Sequence, residues 1–224
     1  MRLDVPKILS ALAKRRPVFH SEADFRLELI LQIHKMHPKL CPVAEYPIRR
    51  ESKEAYDLVL FRGHREVTAL ELKYACQKLD YRNEGQTFKL KASTTDAGRY
   101  GTLRDIERME EFLEKIRKKE PRRVHADVIT LTNDPFLWEG PKRTGVVGEE
   151  FNIADSVTRD NRKIKNIVSG TLRWLPRTAT KTKRACPKIR LHGRYRMMWR
   201  DYSKVAGKFG QFRYLHIPVQ PPKS

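Results

Sequence analysis

The sequence predicts an α/β fold, a β-sheet flanked by helices. Three observations carry that expectation. Apolar residues recur at helical spacing in two stretches, Phe25, Leu29, Ile33, Met36 and Leu103, Ile106, Met109, Leu113, Ile116. Strand-like apolar runs occupy 56–61, 67–74 and 128–134. Along the chain the two kinds follow in the order helix, helix, strands, helix, strand. With 224 residues, 39% of them hydrophobic, the chain has enough apolar material for one large domain or a core with an appendage.

The elements follow in order. Asp4 to Ala13 reads as a short helix with Pro6 near its first position and Ile8, Leu9 and Leu12 facing inward. Ser21-Glu22-Ala23-Asp24 opens the second helix: Ser21 is a good N-cap and Asp24 approximates the capping-box acid. Glu45 to Arg50 reads as a strand leading into a hairpin. Leu79 to Thr95 is polar, contains Gly85 and reads as a mobile loop. Asp96 to Tyr100 leads towards a helix starting at Thr102 and ending in Arg117-Lys118-Lys119, cations that suit its negative pole, before Pro121. Phe212 to Val219 reads as a strand returning to the body.

The hairpin carries the chemistry. Segments 56–61 and 67–74 flank the polar stretch 62–66. With the turn centred on His64, residues whose numbers sum to 128 pair, so Asp57 faces Glu71, and the period of two puts Lys73 on the same face. Opposed like charges are destabilising. At ~5 Å and an effective dielectric of about 20 the repulsion is on the order of 3 kcal/mol. A hard divalent cation such as Mg²⁺ between the two carboxylates relieves it and keeps open positions for water and phosphate. Lys73 then lies within reach of an attacking water or a developing negative charge. The alternative is an exposed strand face that simply carries charge, since short motifs recur by chance.

Glu22 lies three residues before Phe25, at the start of the apolar stripe, and so faces inward. Asp24 and Glu28 already satisfy the preference for acids near a helix N-terminus, which leaves Glu22 to aim across the sheet. Of the residues near the third helix, Arg99, Tyr100, Asp105 and Arg108 are within reach of the same site. Arg99 and Tyr100 are kept as contacts to nucleic acid, Arg99 as a phosphate clamp. A cap and a solvated helix face account for Asp105 and Arg108.

With Glu22 on the first core helix, Asp57 opening one strand and Glu71-Leu72-Lys73 on the next, thirteen residues later, the chain resembles the PD-(D/E)XK nuclease superfamily. The resemblance runs over roughly residues 18–138 as an ordered series of elements, with Tyr56 standing where the motif has proline. It implies a restriction-endonuclease-like αβ core with a central mixed sheet. It also implies Mg²⁺ or Mn²⁺ bound by Asp57, Glu71 and the Leu72 carbonyl with help from Glu22, and Lys73 acting on the nucleophile.

Charge agrees with a polyanionic partner. The formal net charge is +20, of which +14 falls in residues 121–224. Nucleic acid, DNA ahead of RNA, is the expected partner, and a homodimer is compatible with such a site. No apolar run approaches the ~20 residues of a membrane span, and Lys7 and Lys14 to Arg16 interrupt the N-terminal apolar stretch, so neither an anchor nor a signal peptide is expected. Three scattered cysteines, Cys41, Cys76 and Cys186, argue against a disulfide scaffold and for a cytoplasmic setting.

These readings divide the chain into a nuclease-like core (1–138), a basic, aromatic-containing insertion (139–210) and a returning strand with a tail (211–224). In the insertion, cations alternate with aromatics at Arg173-Trp174, Arg194-Tyr195-Arg196 and Trp199-Arg200, a pattern that suits backbone tracking and base stacking. The tryptophans have a second reading as core residues of a basic subdomain. Two functions remain open, a metal-dependent nuclease and a basic nucleic-acid-binding protein that keeps the fold without turnover. Clustered acids favour the first, because a pure binder gains nothing from groups that repel phosphate.

Overall fold

The structure is a computed structural model and describes residues 2–48, 54–117, 123–141, 145–159 and 162–221. In chain order the elements are α1 (Val5–Ala13), α2 (Glu22–Met36), β1 (Cys41–Pro47), β2 (Ala55–Arg62), β3 (Glu66–Ala75), β4 (Leu79–Asn83), β5 (Gln86–Leu90), α3 (Thr95–Arg117), β6 (Arg123–Thr132), α4 (Pro135–Glu139), a single 3₁₀ turn at Glu149–Phe151, β7 (Ser156–Arg159), β8 (Arg162–Lys165), β9 (Ile167–Leu172), α5 (Thr180–Ala185), β10 (Ile189–Arg196), β11 (Trp199–Lys204) and β12 (Gln211–Val219).

A six-stranded sheet in the order β1-β2-β3-β6-β12-β11 forms the centre. It is mixed: β3 and β6 run parallel, joined through α3, and the other neighbours are antiparallel. Helices flank both faces. On one face, α3 buries Leu103, Ile106, Met109 and Leu113 against Val59, Ala69, Val128 and Leu215. On the other, α1 and α2 bury Ile8, Leu9, Leu12, Phe25, Leu29 and Ile33 against Leu58, Leu60, Leu70, Leu72 and Ile129. Alternation along β3 assigns successive residues to the two cores. Each fully buried Leu, Ile or Phe contributes about 1.5–3 kcal/mol.

Helix starts follow their caps. The Asp4 carboxylate accepts from Lys7 N at 3.1 Å with Pro6 in the first turn, and Ser21 Oγ accepts from Asp24 N at 3.2 Å. The β2–β3 register is Leu58↔Leu70 to Arg62↔Glu66, the pairing whose numbers sum to 128, with Gly63 at φ 55° in the turn; the ladder stops at Leu58↔Leu70, so the expected direct pairing of Asp57 with Glu71 does not form.

Three expectations are corrected. Residues 79–90 form a hairpin, β4 with β5, because Leu79, Phe88 and Leu90 reach the core beside α1 and α2, and His20 stacks on Phe88 at 4.4 Å. Helix α3 begins at Thr95, seven residues before Thr102, since Gly98 and Gly101 serve close packing within it and do not break it. The first strand starts at Cys41 and ends at Pro47. Arg49 and Arg50 of the expected strand, and Lys118, Lys119 and Pro121 of the expected helix end, lie outside the described residues. In the basic region, β11 and β12 belong to the central sheet, while β9 and β10 form a two-stranded sheet over the α3 core.

Candidate functional site

Past Leu58 and Leu70 the strands β2 and β3 part: their ladder ends there, while β2 continues to pair with β1 and β3 with β6. Asp57 sits at the fork. Its Oδ2 accepts from the backbone N–H of Leu72 at 2.8 Å, so a side chain takes over where the ladder lapses. On its other side the β1 ladder skips Glu45, whose φ is 52°, and Arg26 bridges the two acids, 3.3 Å from Asp57 Oδ1 and 2.7 Å from Glu45 Oε1.

Glu71 and Lys73 project from β3 into the space between the sheet and α3. Glu71 is only 2% exposed. Its Oε1 lies 3.2 Å from Arg108 Nη2 but makes no hydrogen bond of acceptable geometry. Its carboxyl is within hydrogen-bonding reach of Asp57, and its pKa is raised to about 10. Burial is the main cause, followed by the Asp105 and Asp57 charges, with Arg108 opposing. Burial and these neighbouring acids thus favour the protonated form of the Glu71 carboxyl.

Lys73 Nζ lies between two acids, 3.6 Å from Asp105 Oδ2 and 3.7 Å from Glu22 Oε2. Burial alone lowers its pKa, but Asp105, Glu22, Asp57 and Glu71 together raise it. Gly101 makes room for the lysine arm, since a Cβ there would come within 3.2 Å of Lys73 Cε. Glu22, at the start of α2, is half-exposed, not turned into the core as expected, and its Oε2 accepts from Tyr74 N of β3 at 2.8 Å. The four residues Glu22, Asp57, Glu71 and Lys73 thus share one locality.

Two further residues belong to it. Asp105 is 5% exposed, with a pKa raised to about 6 by burial, which the Lys73 and Arg108 charges oppose. Its Oδ2 also lacks a hydrogen-bond partner. Arg108 contacts Glu71, lies 3.9 Å from Asp105 and donates to the Ala55 carbonyl at 2.6 Å. The expectation of a cap and a solvated helix face for this pair is therefore corrected. The signal was available: Gly98, Gly101, Thr102, Asp105 and Arg108 fall at three- and four-residue spacings, the inward edge of a helix that begins at Thr95. Arg26 was not singled out because nothing local distinguishes it from a solvated helix cation.

The donors gathered here are all oxygen, the type a hard cation takes, and Glu71 Oε1 and Asp105 Oδ2 are left without a hydrogen bond. Among the described residues, no three His, Cys, Asp or Glu side chains converge in metal-holding geometry. Arg26, Arg108 and Lys73 occupy the neutralising positions instead.

The residues expected to contact nucleic acid divide. Arg99 is buried and donates to the Phe136 carbonyl at 2.7 Å. Tyr100 donates to the Pro187 carbonyl, stacks on Trp174 at 5.7 Å and belongs to the α3 core. Trp174 donates to the Cys186 carbonyl, and the buried Trp199 to the Ile153 carbonyl. These four serve packing. Arg173, Arg194, Arg196 and Arg200 are exposed. Cys41, Cys76 and Cys186 are free thiols, and no helix among the described residues is long and apolar enough to cross a membrane. No family model, curated protein or solved structure matches the chain.

Proposed function

We propose that the protein is a Mg²⁺- or Mn²⁺-dependent nuclease of the restriction-endonuclease-like fold that hydrolyses phosphodiester bonds, with DNA ahead of RNA as substrate. The observation that carries this reading is the buried Glu71 carboxyl beside Asp57 at the fork of β2 and β3, with Lys73 flanked there by Asp105 and Glu22. A structural sheet position has no use for a carboxyl so costly to ionise. A cation that displaces its proton gives it one.

Asp57 and Glu71 would hold the ion, with Glu22 and the Leu72 carbonyl assisting, and the bound ion would supply a water of lowered pKa and neutralise charge on phosphate. The chain's own groups do the rest. Lys73, an ammonium flanked by two acids, orients the attacking water and stabilises the charge that develops on the phosphoryl oxygens. Asp105 positions Lys73, and Arg108 holds the Glu71 carboxyl in place.

The test is incubation of single- and double-stranded DNA and RNA with Mg²⁺, Mn²⁺ or EDTA, using wild type, Asp57→Ala and Lys73→Ala. Cleavage lost in EDTA and in both variants, with binding retained, supports the reading. Equal cleavage by the variants, or binding with no products under either metal, rejects it in favour of a binding protein.

A further inference from the structure

A second feature takes no part in this site. The β11–β12 ladder ends at Trp199↔Leu215, which leaves Ile217 to Val219 without a β11 partner. Beside that uncovered end opens a groove of about 390 Å³ whose lining includes Arg2, Arg194, Arg196, Arg200, His216 and Met198. It is lined by four arginines and no carboxylate, and by none of Glu22, Asp57, Glu71 and Lys73.

The basic side chains come from separate elements. Arg194 and Arg196 occupy alternate positions of β10, about 6.6–6.8 Å apart along the strand. Arg200 is on β11, His216 on β12, and Arg2 precedes α1. Among the described residues, no acid pairs with Arg194, Arg196 or Arg200. Behind the groove, the fully buried Asp127 holds two more of its side chains, Arg2 Nη2 at 3.2 Å and His216 Nε2 at 2.8 Å. Such positioning of Arg2 and His216 by a buried acid is a built arrangement; chance surface charge does not need it.

We infer that this groove is a phosphate-binding subsite that holds the nucleic-acid backbone away from the cleaved bond. The inference rests on nucleic acid being the substrate proposed above and is independent of the cleavage chemistry. Unpaired guanidiniums suit phosphate, which accepts two N–H donors of one fork at once. Spacing along a strand suits successive phosphates of one chain. The surrounding surface offers two exposed large apolar side chains, Met198 and, opposite Arg196 on β9, Ile167, too few to insert into a lipid layer.

The experiment is fluorescence anisotropy in EDTA with labelled single- and double-stranded DNA of about 20 nucleotides, across a salt series. Arg194→Ala/Arg196→Ala/Arg200→Ala is compared with Lys7→Ala/Lys14→Ala/Lys39→Ala, which removes the same charge from exposed positions elsewhere. Circular dichroism confirms that both variants fold. The groove variant is expected to bind at least about tenfold more weakly and to lower the salt slope on duplex by about two to three, the control by less than about one. Equal losses in the two variants, or no loss in the groove variant, overturn the inference. So does a groove variant that loses binding to polyglutamate or anionic vesicles but not to DNA. Wild-type binding with no cleavage when Mg²⁺ or Mn²⁺ is added in place of EDTA rejects the nuclease reading and leaves the groove result intact.

Discussion

At the scale of single residues, Glu71 sets the protein's response to pH. Its folded-state pKa lies above the ordinary value of 4.5, so between about 4.5 and about 10 the native state binds more protons than the unfolded state. Stability is then greatest at the acidic end of that window and falls as pH rises, by up to about 1.4 kcal/mol per pH unit. Asp105, raised from 3.8 to about 6, adds a slope of the same sign below neutrality. Glu71→Gln, a neutral mimic, is expected to flatten the dependence and to stabilise the metal-free protein above neutral pH. Urea melts from pH 5 to 9 check this, and an unchanged slope would show that Glu71 is ionised in the fold. Arg108→Ala acts in the opposite direction: it removes the cation facing Glu71 and Asp105 and is expected to cost on the order of 1–3 kcal/mol at neutral pH. A cost near zero would mean that water already screens the pair.

At the scale of elements, α3 and β3 approach closely at two glycines. A Cβ at Gly101 would press on the end of the Lys73 arm, whereas one at Gly98 would meet Ala75 and Leu137. Gly101→Ala gains up to about 1 kcal/mol of helix propensity and displaces Lys73 by a few tenths of an ångström. The melting temperature is therefore expected to hold or rise while kcat falls and KM stays near its wild-type value. Unchanged kcat would show that the lysine position is not critical. The β4–β5 hairpin makes a second prediction. Phe88→Ala is expected to cost about 3 kcal/mol or more because the ring is buried against His20 and Arg16 of the α1–α2 link, whereas a mobile loop would lose almost nothing.

These elements also mark how far the sequence could be read. The β2–β3 pairing was legible because a five-residue polar link fixed the register and period two did the rest. The caps at Asp4 and Ser21 were legible from local chemistry alone. The β4–β5 hairpin was not, since its short strands alternate with polar residues and their apolar sides have no meaning until α1 and α2 provide a surface for them. Early glycines hid the first turns of α3, and with them the inward edge that carries Asp105 and Arg108. Long-range partners such as Arg26 with Asp57, thirty-one positions apart, exist only once the sheet has formed.

At the scale of the whole molecule, charge and site are complementary. A net charge of +20 is concentrated in residues 121–224, whereas the clustered acids sit on α2, β2, β3 and α3. The basic half attracts a polyanion whose phosphates the acids alone would repel. Nucleic-acid affinity is accordingly expected to fall steeply between low and physiological salt, measurable as a linear slope of log affinity against log salt. A flat slope would contradict a phosphate-backbone partner. On the proposed reading a bound divalent ion would reverse the repulsion at the acids, so metal and substrate binding would support each other.

The central claim is that the fork between β2 and β3 takes up a divalent cation through Asp57 and Glu71. Its most direct measurement is an electron paramagnetic resonance titration with Mn²⁺ at mildly alkaline pH. One site is expected in wild type and in Lys73→Ala, abolished in Asp57→Asn and in Glu71→Gln. No binding by wild type, or binding that survives both carboxylate substitutions, would contradict the account.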